Sequence, residues 1–418
     1  MLVGAPDRHL PTRLADEHLE ELARLTDTAG GNVVGTVVQR IDAPHPRFYI
    51  GEGKAKELAS EVRSAKADLV IFDEELSPAQ GKSLEDLLGI RVMDRSELIL
   101  DIFATRARSR ESRMQVELAQ LEYLLPRLRR MWSHLSRIRG GIGLRGPGET
   151  QLETDRRLIG RRIGELKKKL GDVSKARAVQ RKGRRGHFRA ALVGYTNAGK
   201  SSLLQALSGA DLFVEDRLFA TLDPATRVVD IGSGHEALLT DTVGFIRKLP
   251  HDLVASFRAT LEEAREADVL LHVIDPSHSD WEEHLEVVNG VLEDLDLGAQ
   301  EVILVFNKID RLTHDEEEAM RQRIRSLEAT PAVFVSAHDQ ATLDALRETL
   351  RARLQAGLAH VRVRVPVADG EAIAAVYREA EVTAREDDDS MVSLTARVPV
   401  ALLGRLTGRR GVIVEDVA

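Results

Sequence analysis

The sequence predicts an α/β chain of several units, and three observations carry that prediction. Apolar runs of strand length alternate with helix-like stretches from Val33 onward, the pattern of strands joined by helices. A glycine-bounded loop, Gly194-Tyr195-Thr196-Asn197-Ala198-Gly199-Lys200-Ser201, lies between the apolar run Arg189 to Val193 and the helix-like run Ser202 to Ser208. A basic segment from Thr105 to Arg189 holds 24 Lys and Arg against 8 Asp and Glu. At 418 residues the chain is long for one domain. The shifts in pattern divide it into an N-terminal α/β unit at 1–104, a basic helical hairpin at 105–188, a phosphate-loop α/β unit at 189–356 and a small α+β unit at 357–418.

In the first unit, the runs Val33 to Val38, Leu69 to Phe72 and Arg91 to Met93 alternate with helix-like stretches at Lys54 to Ser64 and Pro78 to Leu88. This is the pattern of a small parallel sheet. Gly51-Glu52-Gly53-Lys54 reads as a strand-to-helix turn with glycine at the bend, and a second nucleotide such as ATP is the alternative use of those glycines.

The basic segment reads as two helices joined by a glycine loop. From Arg95 to about Arg137, Leu98, Ile102, Met114, Leu118, Leu121, Leu125, Leu128 and Leu135 recur at helical intervals, interrupted only by Pro126, which can kink the helix. After the glycine-rich stretch Gly140 to Gly148, a second helix is expected from Glu149–Gln151 through Leu152, Leu158, Ile163, Leu166 and Leu170. Two such helices pack antiparallel on one apolar seam and leave their arginine faces free. The segment's excess of +16 leaves −24 for the rest of a chain whose net charge is −8. That partition points the segment at a polyanion, with Arg139 and Arg145 at the tip and Arg156, Arg157, Arg161 and Arg162 along the second helix as candidate RNA contacts. A solvated helix pair with a flexible glycine hinge is the alternative.

The third unit carries the chemistry. Glycines in a loop that opens a helix let successive backbone N–H groups turn toward phosphates; Lys200 reaches the β and γ oxygens and the Ser201 hydroxyl can ligate Mg²⁺, with Ser202 beginning the helix behind them. Phe219-Ala220-Thr221, about twenty residues on, places Thr221 to close over the same metal. Asp241-Thr242-Val243-Gly244 follows the run Ala237 to Leu239, so its carboxylate can hold the metal through water while the Gly244 N–H senses a γ-phosphate. Asn307-Lys308-Ile309-Asp310 follows the buried-strand run Val302 to Phe306, and a carboxylate at Asp310 accepts from both the ring N–H and the exocyclic amine of guanine. Ser336-Ala337-His338 follows Ala332 to Val335 and can present a backbone N–H to the guanine carbonyl. The order of these elements predicts GTP and GDP as ligands, with Lys200, Thr221, Asp241 and Gly244 as the hydrolytic set.

Gly140 to Arg157, GGIGLRGPGETQLETDRR, followed by GYTNAGKSSLL, LFATLDPATR, TDTVGFIRKLPHDLVASFRATLEEA and NKID, resembles the HflX family of translational GTPases from about Val34 to Leu350. The resemblance implies an N-terminal α/β domain with a helical hairpin, a GTPase domain, binding to the large ribosomal subunit and its rRNA, and separation of stalled or idle ribosomes. A GTPase acting in ribosome assembly or RNA modification, and an RNA-binding scaffold with a structural nucleotide, are the rival readings. Two departures from relatives stand out. Phe245 follows Gly244 where Ras-like enzymes carry a water-orienting glutamine, which predicts slow intrinsic turnover. His338 stands where many relatives carry lysine. Asn197 resembles the loop asparagine that helps hold K⁺ in potassium-stimulated GTPases, or else it bonds the loop to itself.

The last unit reads as runs Val361 to Val367 and Met391 to Val398 around a helix near Ala372 to Glu381, with Arg385 to Asp389 as a polar turn. Zero Cys excludes disulfides and thiolate chemistry. The thirteen His are scattered, without the close pairs of a zinc site. With no apolar run of about eighteen residues and no signal-peptide pattern, a cytoplasmic, monomeric protein away from membranes is expected.

Overall fold

The computed structural model describes residues 1–131, 147–182, 187–210, 215, 217–249, 263–326, 330–388 and 390–417. In the N-terminal unit a parallel sheet of order β2-β1-β3-β4 is formed by β1 (Leu2–Gly4), β2 (Thr36–Val38), β3 (Leu69–Phe72) and β4 (Arg91–Asp94). Helices α1 (Thr12–Thr28), α2 (Glu52–Ala65) and α3 (Pro78–Leu88) connect the strands. β1 and α1 lie ahead of the first run read from the sequence. α1 buries Leu19, Leu22 and Leu25, a helical spacing that the sequence does contain.

Gly51 is the N-cap of α2 and donates its N–H to Gln39 Oε1 at 2.8 Å. Phe48–Ile50, before it, form a turn and not a strand. The expected bend is therefore a turn-to-helix junction. A Cβ at Gly51 would stand 3.2 Å from the Gln39 amide nitrogen, a tight contact with the end of a flexible side chain.

The expected helix from Arg95 to Arg137 is broken. α4 (Arg95–Arg106) ends at Ala107, and α5 (Arg110–Met131) starts three residues later and passes through Pro126. The cause lies outside the segment: the Asp223 carboxylate accepts from the N–H groups of Arg108 and Ser109 at 3.2 and 3.0 Å and from Ser109 Oγ at 2.6 Å. Backbone donors satisfied from outside do not need the helix ladder. α6 (Pro147–Lys182) runs 36 residues and packs along α5. Arg162 Nε meets Glu117 at 2.6 Å and Lys167 meets Glu122 at 2.8 Å across the pair. Residues 139 to 146 of the glycine loop, with Arg139 and Arg145, lie outside the described residues.

The third unit is a six-stranded sheet of order β10-β9-β8-β5-β7-β6. Its strands are β5 (Phe188–Gly194), β6 (Ala225–Gly232), β7 (His235–Asp241), β8 (Val269–Ile274), β9 (Val302–Phe306) and β10 (Ala332–Phe334), parallel except for β6 against β7. α7 (Lys200–Ser208), α8 (Trp281–Asp294), α9 (His314–Ser326) and α10 (Gln340–Ala356) belong to it. Its central strands are buried on both faces, as in other parallel sheets, so they read as continuous apolar runs.

The C-terminal unit is antiparallel, of order β12-β13-β11-β14, from β11 (Leu358–Pro366), β12 (Glu381–Asp387), β13 (Met391–Pro399) and β14 (Ile413–Asp416), with α11 (Gly370–Glu379) and α12 (Val400–Thr407). Arg385 to Asp387, read as part of a turn, belong to β12. An edge strand with mostly exposed side chains carries no apolar alternation by which to be recognised.

Candidate functional site

The ends of β5, β7, β9 and β10 bring the sequence motifs together at the carboxyl edge of the parallel sheet, where ligands of open α/β sheets bind. Two glycines of the loop are required by geometry. Gly194 has φ +150° and a Cβ there would lie 2.3 Å from the Val273 carbonyl oxygen; Gly199 has φ +92° and its Cβ would lie 2.2 Å from Asn307 Nδ2. Asn197 also adopts a left-handed conformation, φ 61°. Lys200 is buried and donates to the carbonyls of Tyr195 at 2.8 Å and Gly194 at 3.1 Å. Burial, with Lys308 nearby, lowers its pKa to about 8 against the pull of Asp241.

Ser201, Thr221 and Asp241 converge although 40 residues separate the first from the last. Ser201 Oγ donates to Asp241 Oδ2 at 2.6 Å and lies 2.7 Å from Thr221 Oγ1. Asp241 Oδ1 is buried without a hydrogen-bond partner among the described residues, and burial raises the carboxyl's pKa. Two hydroxyls and an under-satisfied carboxylate are hard oxygen donors, the set that suits Mg²⁺. Ser201 and Thr221, with Thr196, Ser202, Phe219, Ala220, Thr242 and Gly244, line one continuous cleft, and Asp241 lies buried behind them. Thr242 Oγ1 donates to the Leu192 carbonyl at 2.6 Å, which pins the end of β7 to β5. Val243 and Phe245 are buried.

On the opposite side, Asn307 Nδ2 donates to the Ala198 carbonyl at 3.0 Å, and Lys308 Nζ donates to the Asn197 carbonyl at 2.8 Å while pairing with Asp275 Oδ2 at 2.7 Å. Asp310 Oδ1 accepts from Ser336 Oγ at 2.5 Å; Ala337 N–H donates to Asn307 Oδ1 at 3.2 Å and His338 N–H to Ser336 Oγ at 3.2 Å. Ile309 opens a short 3₁₀ turn that presents Asp310. The two base-side motifs thus bond to each other and brace the phosphate loop. Asp275 was missed in the sequence because a single Asp after an apolar run has no distinguishing spacing.

The N-terminal unit and the start of the hairpin pack directly on the loops beside the phosphate site. Phe103 of α4 meets Phe219 edge-on at 4.6 Å, and Ile102, Phe103, Leu218, Phe219, Leu222, Phe245 and Ile246 share one apolar core. Arg95, 1% exposed, pairs with Glu21 and with Asp73, the latter at 2.8 Å, and its Nε donates to the Arg247 carbonyl at 3.2 Å. Burial would raise the Glu21 and Asp73 carboxyls, but the neighbouring cations outweigh it and hold both low. The Tyr195 side chain turns away from the phosphate cleft toward Glu21. Among the proposed RNA contacts, Arg162 already bridges Glu117 and Glu165, whereas no ion pair joins Arg156, Arg157 or Arg161 to the described residues.

Three family models match in succession: a GTP-binding GTPase N-terminal region over residues 16–104, a GTP-binding GTPase middle region over 106–184, and a 50S ribosome-binding GTPase over 189–308. The chain is 45% identical to GTPase HflX of Magnetococcus marinus over 95% of its own length and 92% of the relative's, and 44% identical to GTPase HflX of Escherichia coli over 96% and 94%. A solved GTP-binding protein from Sulfolobus solfataricus in complex with GDP aligns over 84% of this chain and 98% of that one, at 25% identity and a TM-score of 0.43. Among the described residues no helix is long and apolar enough to cross a membrane. The identities hold over nearly the whole chain: this is a GTP-binding, GTP-hydrolysing enzyme, and the chain belongs to the HflX family of GTPases.

Proposed function

We propose that this GTPase binds the large ribosomal subunit through its basic hairpin and, in its GTP state, drives the separation of stalled or idle ribosomes. The observation that carries the reading is the junction of hairpin and GTP site: α5 starts where Asp223, two residues after Thr221, holds the N–H groups of Arg108 and Ser109. A change at Thr221 is thereby connected to the root of a positively charged projection. The relatives' family description as a 50S ribosome-binding GTPase supports the same partner, and arginines on α6 suit its phosphates.

In this reading Lys200 neutralises the β and γ oxygens, and backbone N–H groups from Asn197 to Ser201 cradle the phosphates. Ser201 and Thr221 would hold Mg²⁺ directly and Asp241 through water; when bound, the ion supplies charge neutralisation across the phosphates. Gly244 N–H reads the γ-phosphate, and a Cβ there would press to 2.7 Å from Thr196 Cα. Asp310 accepts from guanine, with the Ala337 N–H on its carbonyl. Asn197 is the residue through which K⁺ would act. Phe245 is buried and apolar, so it positions no water; turnover is slow until the large subunit orders the site.

The test is sedimentation of ribosomes mixed with the protein and non-hydrolysable GTP, beside GTP turnover with and without large subunits. The reading expects free subunits in place of intact ribosomes and a turnover gain of at least about tenfold, or roughly 1.4 kcal/mol in the barrier. Intact ribosomes with bound protein would reject splitting. Association with precursor particles alone would favour a role in assembly.

A further inference from the structure

Tyr195 sits inside the phosphate loop, yet its side chain serves other parts of the molecule. Its ring stacks on His284 of α8, with centroids 3.7 Å apart and planes inclined by 11°. Its hydroxyl accepts from the Arg247 N–H at 3.0 Å and donates to the Glu21 carboxylate of α1. Residues 194–196 are also zipped to the segment after Gly244: Phe245 N–H donates to the Gly194 carbonyl at 3.1 Å, and Thr196 N–H donates to the Phe245 carbonyl at 2.7 Å. Gly244 is therefore clamped on its C-terminal side by two main-chain bonds and, three residues on, by one phenol.

That phenol has a fixed polarity. A tyrosine hydroxyl has one proton to give. The Glu21 carboxylate is held ionised by Arg95 and Arg247 despite its burial, so it accepts the hydrogen bond from the Tyr195 O–H. The hydroxyl's lone pairs are left for the Arg247 N–H. Burial, then Glu21, raises the phenol's pKa well above its ordinary value, so the arrangement persists at any physiological pH. Arg95, held by Glu21 and Asp73, grips the other end of residue 247 through its carbonyl. Both main-chain polar groups of Arg247 are thus taken up, one through a phosphate-loop side chain and one from the N-terminal unit.

We infer that Tyr195 is a positioning residue for GTP hydrolysis, which sets the Gly244 N–H against the phosphate loop and is itself oriented across the domain boundary by Glu21. The inference rests on the γ-phosphate role proposed for Gly244. A GTPase that lacks a water-orienting side chain after this glycine depends more heavily on the placement of the glycine N–H itself. The site would then consist of residues from two units of the chain.

The experiment compares Tyr195→Phe, Glu21→Gln and the double variant in the full chain, by single-turnover GTP hydrolysis and by affinity for GTP and GDP. Tyr195→Phe keeps the ring on His284 and removes only the hydroxyl. We expect each single variant to slow hydrolysis and weaken GTP by about fivefold or more with GDP within about twofold, and the double variant to add little, since the residues act as one unit. Equal losses for GTP and GDP would reduce Tyr195 to a support of the loop and overturn the inference, as would additive effects or parental rates. Glu21→Gln keeps the side chain's shape but also removes its ion pairs with Arg95 and Arg247, so if Tyr195→Phe fails to fold the selective loss of GTP over GDP is read from Glu21→Gln against Arg95→Lys. Gly244→Ala separates the two levels. If it erases the preference for GTP while Tyr195→Phe does nothing, only the Tyr195 assignment falls; if it leaves that preference intact, the reading of Gly244 falls and the assignment with it.

Discussion

The two sides of the nucleotide cleft are held in place by different parts of the protein. On the base side the bonds among the motifs are internal to the GTPase unit: Asn307 and Lys308 bond the carbonyls of Ala198 and Asn197, Asp275 holds Lys308, and Ser336 holds Asp310. On the switch side the braces come from outside. Phe103 packs on Phe219, Ser109 and Arg108 bond Asp223, and Glu21, Asp73 and Arg95 grip residues 195 and 247–248. The difference teaches where regulation enters. On the proposed function, recognition of guanine would need only the GTPase unit, whereas the loops proposed to respond to the γ-phosphate are tied to the N-terminal unit and the hairpin root.

The largest effect that tests this division is at Asp310. Replacing it by Asn should weaken GTP and favour xanthosine nucleotide, by roughly 10⁴-fold in the most favourable case, because a site built on buried hydrogen bonds rejects the wrong partner strongly. Titrations of both nucleotides read it. Substitutions in α1 or α4 should leave that base preference unchanged, and a shift in preference on changing Arg95 would show that the base side is not self-contained.

A second effect follows from Lys200, whose pKa burial lowers to about 8. A lysine lowered in this way loses its proton above that pH, while phosphate oxygens favour the charged form. Binding should therefore take up a proton at alkaline pH, and nucleotide affinity should fall by up to tenfold per pH unit above about 8. Calorimetry in buffers of different ionisation enthalpy measures the proton directly. A flat affinity from pH 7 to 9 would contradict it.

The third is electrostatic. Changing Arg156, Arg157 and Arg161 together to Ala should weaken binding to large subunits by about tenfold or more and lower the salt slope by about two to three, with GTP affinity unchanged. Arg162→Ala should instead destabilise the hairpin, because it bridges Glu117. A salt series of sedimentation runs separates the two.

Legibility in the sequence follows the same division. The base side and the phosphate loop could be read because each motif is short and ends an apolar strand: Gly194 and Gly199 are demanded by local backbone geometry, and Asp310 by a fixed offset from Asn307. The central strands were legible as unbroken apolar runs for the same reason that they are buried on both faces. What could not be read was any bond whose partner lies in another unit. Arg95 stands in the sequence as one more arginine at a helix start, although it is 1% exposed, and Glu21 lies on a helix ahead of the first run read. The break at Ala107–Ser109 was hidden because the capping group, Asp223, is 114 residues from Ser109. β12 went unread because its outward residues leave no period.

That break supports the smallest and most specific prediction. Asp223 accepts three hydrogen bonds at the root of α5, and these, led by the Ser109 hydroxyl, hold its carboxyl low in spite of burial. Asp223→Asn keeps the shape and one acceptor oxygen but loses the charge that charge-assisted bonds require, which are about twice as strong as neutral ones. Intrinsic GTP hydrolysis and guanine affinity should stay within about twofold, because the residue faces the hairpin and not the cleft. Stimulation by large subunits should fall several-fold, about 1 kcal/mol in coupling, since binding at the hairpin would no longer be relayed through residues 221–223. Ser109→Ala removes the shortest of the three bonds and should give the same change in a weaker form, and the two together should be less than additive. Equal losses of intrinsic and stimulated turnover would place Asp223 within the hydrolytic site itself, and the switch side would then be braced by α1, the N-terminal sheet and α4.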